Sequence, residues 1–436
     1  MFLIVLAAAW MGAGQVWAFL PEGPEITTHY SKNEPASPIA LLRWQENLEA
    51  VSYEVEVFGF RPEHLDRTQL SDSHLYYNGR IYTNGTFVDL REKAGEYIGK
   101  KPLYWRVRAL NLDKEPITDF TPLQQLYAED QTDVQSAPLP RVKYDHGYGT
   151  TLLYPVYSFI PNPGAVQFEV EVTSAMPENP DGTEPSEYRV FEGITSLTNL
   201  YDPEPRIGTY YWRVRGLDAD GGPVGVWSQA EEFRCDPEDH WEIGIYGDSI
   251  SHGGGHLSFG PADWEYSYAH DLDFPVINLS CSGDTSESMV ERFDRDVVPF
   301  HVKYLLIMDG TNSLRANVSP DDVIKNLKQL QQKCLDNGIT PIFLTLPPIN
   351  PENIKKAFNE DTFGDWKADF AAVNAFIRTQ SHIDIAAAFG TEEMPTSLSL
   401  DGLHGDWNAK RIMAEIINEH IHEFIPDLPL IPDRRT

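Results

Sequence analysis

The sequence predicts a multidomain chain, two all-β sandwiches followed by a three-layer α/β/α domain on a five-stranded parallel sheet. Three observations predict it. One strand pattern occurs twice in the first half, and strand-length apolar runs alternate with amphipathic helices after residue 240. The third is size: 436 residues, 41% hydrophobic and 12% aromatic, supply several cores and leave little of the chain with the composition of a disordered one.

Residues 1–18 are nearly all apolar or small and end in Val16-Trp17-Ala18, which reads as a signal peptide cut after Ala18, the alternative being a retained membrane anchor. No later stretch approaches the roughly 20 apolar residues of a membrane span. A soluble, secreted or otherwise extracytoplasmic protein is expected, with no stable membrane insertion once the leader is removed. The three cysteines, Cys235, Cys281 and Cys334, cannot form a disulfide framework. With 34 basic against 66 acidic residues the formal charge is −32. A phosphate backbone needs a positive surface, so no nucleic-acid partner is expected; the acid excess reads as a solvated, self-repelling surface.

The repeat comes next. Tyr104-Trp105-Arg106-Val107-Arg108 recurs as Tyr211-Trp212-Arg213-Val214-Arg215, and Tyr53-Glu54-Val55-Glu56-Val57 as Phe168-Glu169-Val170-Glu171-Val172. Both alternate with period two, apolar residues on one face and charges on the other. Turn signals such as Asn78-Gly79, Asp181-Gly182 and Asp220-Gly221-Gly222 cut the strands at the spacing of antiparallel sandwiches. The two copies, 19–130 and 131–237, are immunoglobulin-like and resemble fibronectin type III domains. Trp105 and Trp212 read as buried sandwich aromatics rather than sugar platforms.

After Cys235-Asp236-Pro237 the period changes, and 238–436 reads as the α/β domain. Five apolar runs have the length of strands buried on both faces: 243–246, 276–279, 304–308, 341–346 and 383–386. Ser319-Pro320-Asp321-Asp322 is a helix start, with cap, proline and acid in the places the first turn favours. Val323, Leu327, Leu330, Cys334 and Leu335 form its apolar stripe. A last helix from about Asp406 carries Ile412, Met413, Ile416, Ile417 and Ile421 on one side.

Working groups in an open parallel sheet collect at the carboxyl ends of its strands. Four polar clusters fall there: Gly247-Asp248-Ser249-Ile250, Ser280-Cys281-Ser282-Gly283-Asp284, Asp309-Gly310-Thr311-Asn312 and, after the fifth strand, Asp401-Gly402-Leu403-His404. In that order, residues 240–425 resemble the SGNH, or GDSL-type, hydrolases, which implies a flavodoxin-like domain and a serine ester hydrolase. The resemblance implies Ser249 as nucleophile, Asp401 and His404 as the rest of a triad, and an oxyanion hole from the Ser249 backbone NH, Gly283 and Asn312. Ser313 stands where the family has an acid, and Gly405 where it has a proline.

The chemistry suits those residue types. A serine hydroxyl needs a neutral imidazole to take its proton, and a carboxylate on the other ring nitrogen fixes the tautomer. Asp401, three residues before His404, can reach Nδ1 within one turn. Each preorganised oxyanion donor is worth roughly 3 kcal/mol of barrier, and a residue without a side chain lets its NH approach closely. Asp248, directly before the nucleophile, reads as bonding nearby backbone rather than as a catalytic acid. Gly253-Gly254-Gly255 with His252 reads equally as a substrate-facing loop or a flexible link; Trp264, Tyr266 and Tyr268 read as packing, and Cys281 as a strand residue. No cofactor and no metal is implied, because the histidines lack paired spacing. The expected substrate is a small-molecule or polysaccharide ester, O-acetyl or another short acyl group on a carbohydrate. The alternatives are a lipase or lysophospholipase, and a non-catalytic binding or adhesion protein on a hydrolase scaffold.

Overall fold

The computed structural model describes residues 20–431 apart from 112, 132–133, 143–149 and 255–265. The expected signal segment, together with Gly255 and Trp264, lies outside the described residues. The chain divides into two compact units: residues 43–84 and 90–130 with the chain before 37 make one, and 37–42, 85–89 and the chain after 130 make the other. The expected boundary near residue 237 therefore falls inside the second unit.

The strands in the first part of the chain are β1 (Ile39–Arg43), β2 (Ser52–Phe58), β3 (Tyr76–Ile81), β4 (Gly85–Asp89), β5 (Leu103–Leu110) and β6 (Gln124–Leu126), with one helical turn, α1 (Arg91–Ala94), after β4. The first unit is built on the four-stranded sheet β3-β2-β5-β6, while β1 and β4 pair with each other. The repeated strands are antiparallel neighbours, with Glu54 opposite Arg108 and Glu56 opposite Arg106. Both faces of this pair are covered, not only the apolar one. Glu56 and Arg106 are completely buried, 2.6 Å apart, and the Arg106 guanidinium lies 3.9 Å from the Phe120 ring centre. Buried charges persist only when paired and hydrogen-bonded, and the carbonyls of Asp66 and Gln69 accept two further Arg106 hydrogens. The intervening loop, which has no periodicity to read, is what covers the charged face.

The second unit repeats this device. Its β-rich part comprises β7 (Leu139–Arg141), β8 (Thr150–Leu152), β9 (Val156–Ile160), β10 (Gln167–Thr173), β11 (Arg189–Thr195), β12 (Asn199–Tyr201), β13 (Gly208–Leu217), β14 (Pro223–Val224) and β15 (Glu231–Cys235). Glu169 faces Arg215 and Glu171 faces Arg213 across β10 and β13, and Trp227 stacks 4.6 Å from both arginines. The sheet β12-β9-β7 meets the five-stranded β10–β13 sheet through Tyr157 on Trp212 and Phe159 on Phe168, with ring centres 5.2 and 4.9 Å apart.

The α/β part adds β16 (Ile243–Gly247), β17 (Val276–Asn278), β18 (Tyr304–Met308), β19 (Thr340–Leu344) and β20 (His382–Ile383). Every pairing is parallel, in the order β20-β19-β18-β16-β17-β8. The sheet has six strands rather than the expected five, because β8 pairs with β17 at the edge. Only three residues long and lying 90 residues before β16, it belongs to no local strand–helix alternation that would mark it. The helices are α2 (Ser249–His252), α3 (Ser286–Asp296), α4 (Thr311–Arg315), α5 (Pro320–Asp336), α6 (Pro351–Phe358), α7 (Trp366–Ile377) and α8 (Trp407–His420). The Ser319 side chain caps α5, accepting from the Asp322 NH at 3.1 Å. Val323, Leu327, Leu330 and Cys334 are buried as expected, but Leu335 is 58% exposed, one residue past the stripe on the helix's outer side. A single core runs from Leu153 through the β-rich part and the parallel sheet to Leu428. Among the described residues no helix is long and apolar enough to cross a membrane.

Candidate active site

The six-stranded order reverses direction beside β16: its successor β17 lies on one side and β18 on the other. Ligands of open α/β sheets bind outside the carboxyl ends at such a reversal. β16 ends at Gly247, and Asp248 in extended conformation caps the short helix α2, its Oδ1 accepting from the Ile250 NH at 2.9 Å. That bond to nearby backbone is the one expected of Asp248, and a side-chain cap of this kind contributes about 1 kcal/mol. Burial pushes the Asp248 carboxyl up to about 6, against the pull of the Ile250 bond and the charges of His404 and Lys410.

Ser249 opens α2, and its Oγ lies 2.8 Å from His404 Nε2. The other ring nitrogen, Nδ1, lies 2.9 Å from Asp401 Oδ2. The second oxygen of Asp401 accepts from the NH groups of Leu403 and His404 at 2.8 and 2.7 Å. Burial alone would raise the Asp401 carboxyl, but the bond to His404, the imidazole's charge and the two NH donors outweigh it and hold the group below its ordinary value. The segment is pinned further where Ser399 Oγ donates to the His404 carbonyl at 2.6 Å. Gly254 leaves no room for a side chain beside the imidazole: a Cβ there would stand 2.6 Å from His404 Cδ2.

Gly283 is exposed and left-handed, with φ at +89°, a conformation other residues rarely adopt. Its loop is tied down on both sides, by the Cys281 NH donating to the Gly247 carbonyl at 3.0 Å and by Arg292, whose guanidinium donates to Asp284, Leu279 and Gly247. Asn312 is the second residue of α4, and its amide donates to the Asp284 carbonyl at 2.8 Å, using one of its two hydrogens. Thus Ser249, His404 and Asp401 are in direct contact, while Gly283 and Asn312 are joined through the Asp284 residue between them. Ser313, where an acid was expected, accepts from the Ser286 NH at 2.9 Å and so ties the second cluster to the third. Helix α8 starts at Trp407, two residues beyond the Gly405 that replaces the family's proline. Tyr268 is buried packing and donates to Ser251 Oγ at 2.9 Å.

Four further residues complete the surroundings; the sequence had named Asp309 within the third cluster and His252 beside the glycine run, and had given no role to Asn278 or Lys410. Asn278 donates its amide to the Ser251 carbonyl at 2.9 Å. Lys410, completely buried on α8, donates to the Ile250 carbonyl, and burial pulls its ammonium down to about 7 in spite of the nearby carboxylates of Asp248, Asp401 and Asp406. Asp309, buried at the end of β18, is pushed far above the carboxylate range by burial and by the charges of Asp248 and Asp284. His252 closes α2, buried between two hydrogen-bond partners. Of these, Asp309 carried a signal as part of a strand-end cluster and His252 as a chemistry-bearing residue three positions after the candidate nucleophile. Among the described residues no group of three or more His, Cys, Asp or Glu side chains is placed to hold a metal ion.

Residues 245–406 match the GDSL-like Lipase/Acylhydrolase family. An uncharacterized lipoprotein of Bacillus subtilis, YqeF, is 26% identical over 140 residues, which is 28% of this chain and 54% of that one, so the match spans about half of the curated relative's length. Among solved structures, the lipase/acylhydrolase from Enterococcus faecalis is 19% identical, with a TM-score of 0.34, covering 44% of this chain and 98% of its own. An acetylxylan esterase from Geobacillus stearothermophilus is 18% identical, with a TM-score of 0.33, covering 42% of this chain and 94% of its own.

Proposed function

We propose that this chain, whose C-terminal part carries a GDSL/SGNH-type hydrolase domain, is a serine acylhydrolase that works through a covalent ester on Ser249. The observation that carries this reading is the continuous hydrogen-bonded line Ser249 Oγ, His404, Asp401, with links of 2.8 and 2.9 Å. In it His404 Nε2 takes the serine proton as Oγ attacks the acyl carbon, then returns a proton to the leaving alcohol; water repeats the sequence to release the acid. Asp401, held ionised by its NH donors, keeps the proton of the neutral imidazole on Nδ1 and stabilises the cation that forms. The NH groups of Ser249 and Gly283 and the Asn312 amide receive the charge that develops on the carbonyl oxygen. A non-catalytic scaffold would have no use for this geometry.

As substrate we favour a short acyl ester, O-acetyl above all, on a carbohydrate. The support is compositional: β-rich segments precede the hydrolase domain, as suits presentation to a polymer, and residues 253–270 hold Gly, His and aromatics rather than the aliphatics of a lipase lid. The same reading makes the two β-rich segments fibronectin type III-like and the protein extracytoplasmic, consistent with its apolar first eighteen residues and with a relative named as a lipoprotein. It gives the protein an ester substrate as partner, without nucleic acid or membrane insertion.

The test compares wild type with Ser249→Ala on p-nitrophenyl acetate. A loss of about 10⁴-fold or more in kcat is expected; equal rates would overturn the acylhydrolase reading. Release of acid from acetylated polysaccharides, p-nitrophenyl esters of rising chain length and phospholipids then tests the substrate class, and a preference for long acyl chains would overturn the short-acyl assignment.

A further inference from the structure

Residue 252 stands three positions after the nucleophile, and its histidine has no part in the mechanism above. The side chain is completely buried. Its Nε2 lies 2.9 Å from the Tyr154 carbonyl, and its Nδ1 lies 2.8 Å from Ser282 Oγ. A carbonyl oxygen can only accept, so the proton sits on Nε2. Burial, with the Arg292 charge nearby, keeps the ring neutral by pulling it down to about 4 although the Tyr154 bond opposes this. Nδ1 is then an acceptor, and the Ser282 hydroxyl must donate to it. The tautomer and the direction of that hydroxyl are fixed together, by a backbone oxygen that cannot change role.

Ser282 directly precedes Gly283, which has no side chain through which to be held. The direction of the Gly283 NH therefore depends on how its neighbours are fixed. On one side the Cys281 NH is held by the Gly247 carbonyl at 3.0 Å, and on the other Asp284 is held by Arg292 at 2.6 Å; between them, the His252 bond fixes Ser282. The β-rich part supports this histidine from outside. Tyr201 on β12 sets its ring edge-on to His252, centres 5.3 Å apart at 64°, and its hydroxyl lies 3.1 Å from Cys281 Sγ.

The geometry points to His252 as a positioning residue for the oxyanion loop: it ties the nucleophile's helix to Ser282, and is itself anchored on the Tyr154 carbonyl of the β-rich part. This rests on the acylhydrolase reading. An oxyanion donor works only if it is aimed before charge develops, so a loosened Gly283 NH costs transition-state binding and leaves ground-state binding largely intact.

The experiment uses the full chain and compares His252→Phe, His252→Gln and Ser282→Ala with wild type. It measures kcat and KM on p-nitrophenyl acetate, thermal stability, and the inhibition constant of an alkyl boronic acid, whose tetrahedral adduct on Ser249 occupies the oxyanion position. Phenylalanine keeps the ring volume and removes both bonds; glutamine can still donate to Tyr154 and accept from Ser282. His252→Phe is expected to lower kcat about 10-fold or more, with KM changed less than about twofold, and to weaken the boronic acid by the same factor. Glutamine recovers most of that loss, and Ser282→Ala moves kcat and boronate affinity together by about threefold. A purely structural histidine would move the melting temperature without moving kcat and boronate affinity in parallel. If His252→Phe does not fold, Ser282→Ala decides. Wild-type kcat and boronate affinity in Ser282→Ala and in the folded His252 variants overturn the positioning role alone, provided Ser249→Ala is inactive. Hydrolysis that survives Ser249→Ala overturns both this inference and the reading it rests on.

Discussion

Replacing Gly254 by alanine adds one carbon against the ring of the proposed base and nothing else. The Gly254 NH donates to the Ser249 carbonyl at 2.7 Å, and the residue lies outside the left-handed region, so alanine meets no backbone strain there. The added Cβ would stand 2.6 Å from His404 Cδ2 and 3.0 Å from Nε2, where ordinary contact begins at 3.4 Å. Either the ring or the turn must give way by about 0.8 Å. The ring has little room to retreat, since Asp401 holds Nδ1 at 2.9 Å and the Phe358 ring stands edge-on with its centre 6.1 Å away. A misplacement of about 1 Å in a reacting group costs about 100-fold in rate, or about 3 kcal/mol of barrier. Gly254→Ala is therefore expected to lower kcat on p-nitrophenyl acetate about 100-fold while KM stays within a few-fold and the melting temperature moves by no more than about 3 °C. A folded variant with kcat within about twofold of wild type would refute the contact as a constraint on His404.

Further predictions follow from the same geometry. Asp401→Asn keeps the shape of the triad but lets His404 adopt the wrong tautomer, so kcat falls about 10³- to 10⁴-fold with KM little changed; a loss under about tenfold would remove Asp401 from the triad. Lys410 has its folded pKa drawn down to about 7, below the value of a solvated lysine. Its burial cost is thus fully present below pH 7 and is relieved as pH rises toward the unfolded value, because over that interval the unfolded chain binds the extra proton. Between pH 7 and 10, urea unfolding should show wild type gaining stability relative to Lys410→Met, by up to about 1.4 kcal/mol per pH unit; parallel curves would show that the buried amine does not titrate there.

Much of the candidate site could be read from the sequence because Ser249 and Asn312 stand where strands run into helices. Ser249 and Asn312 follow strands with clear apolar runs, whereas the expected fifth strand, 383–386, is a two-residue strand, His382–Ile383, running into a 3-10 turn, Ile385–Ala388, and Asp401 to His404 lie in a loop well beyond it. Three features escaped because their causes are not local. Strand β8 is three residues that become a strand only by pairing with β17, more than a hundred positions later in the chain. Gly254 is an ordinary loop glycine until the fold brings His404 against it, and Lys410 looks like any helix lysine until α8 is packed. Leu335 shows the converse, an apolar residue counted into a helix stripe although the pitch turns it outward.

These non-local contacts also bear on what the second β-rich segment does. A spacer would meet the hydrolase domain only through the chain. Instead β8 extends the parallel sheet, and the Tyr154 hydroxyl and Arg295 both converge on the buried carboxylate of Asp296. Arg292 joins that carboxylate at 3.1 Å, and the same guanidinium donates to the carbonyl of Gly247, two residues before Ser249. A second path of polar contacts therefore leads from Tyr154, through its hydroxyl rather than the carbonyl that holds His252, to the turn that carries Ser249. Because an unpaired buried charge costs several kcal/mol, each member of the path constrains the next. Strand β8 and Tyr154 are accordingly built into the α/β part, and under the proposed function a substitution at Tyr154 is expected to disturb the candidate site as well as the β-rich segment.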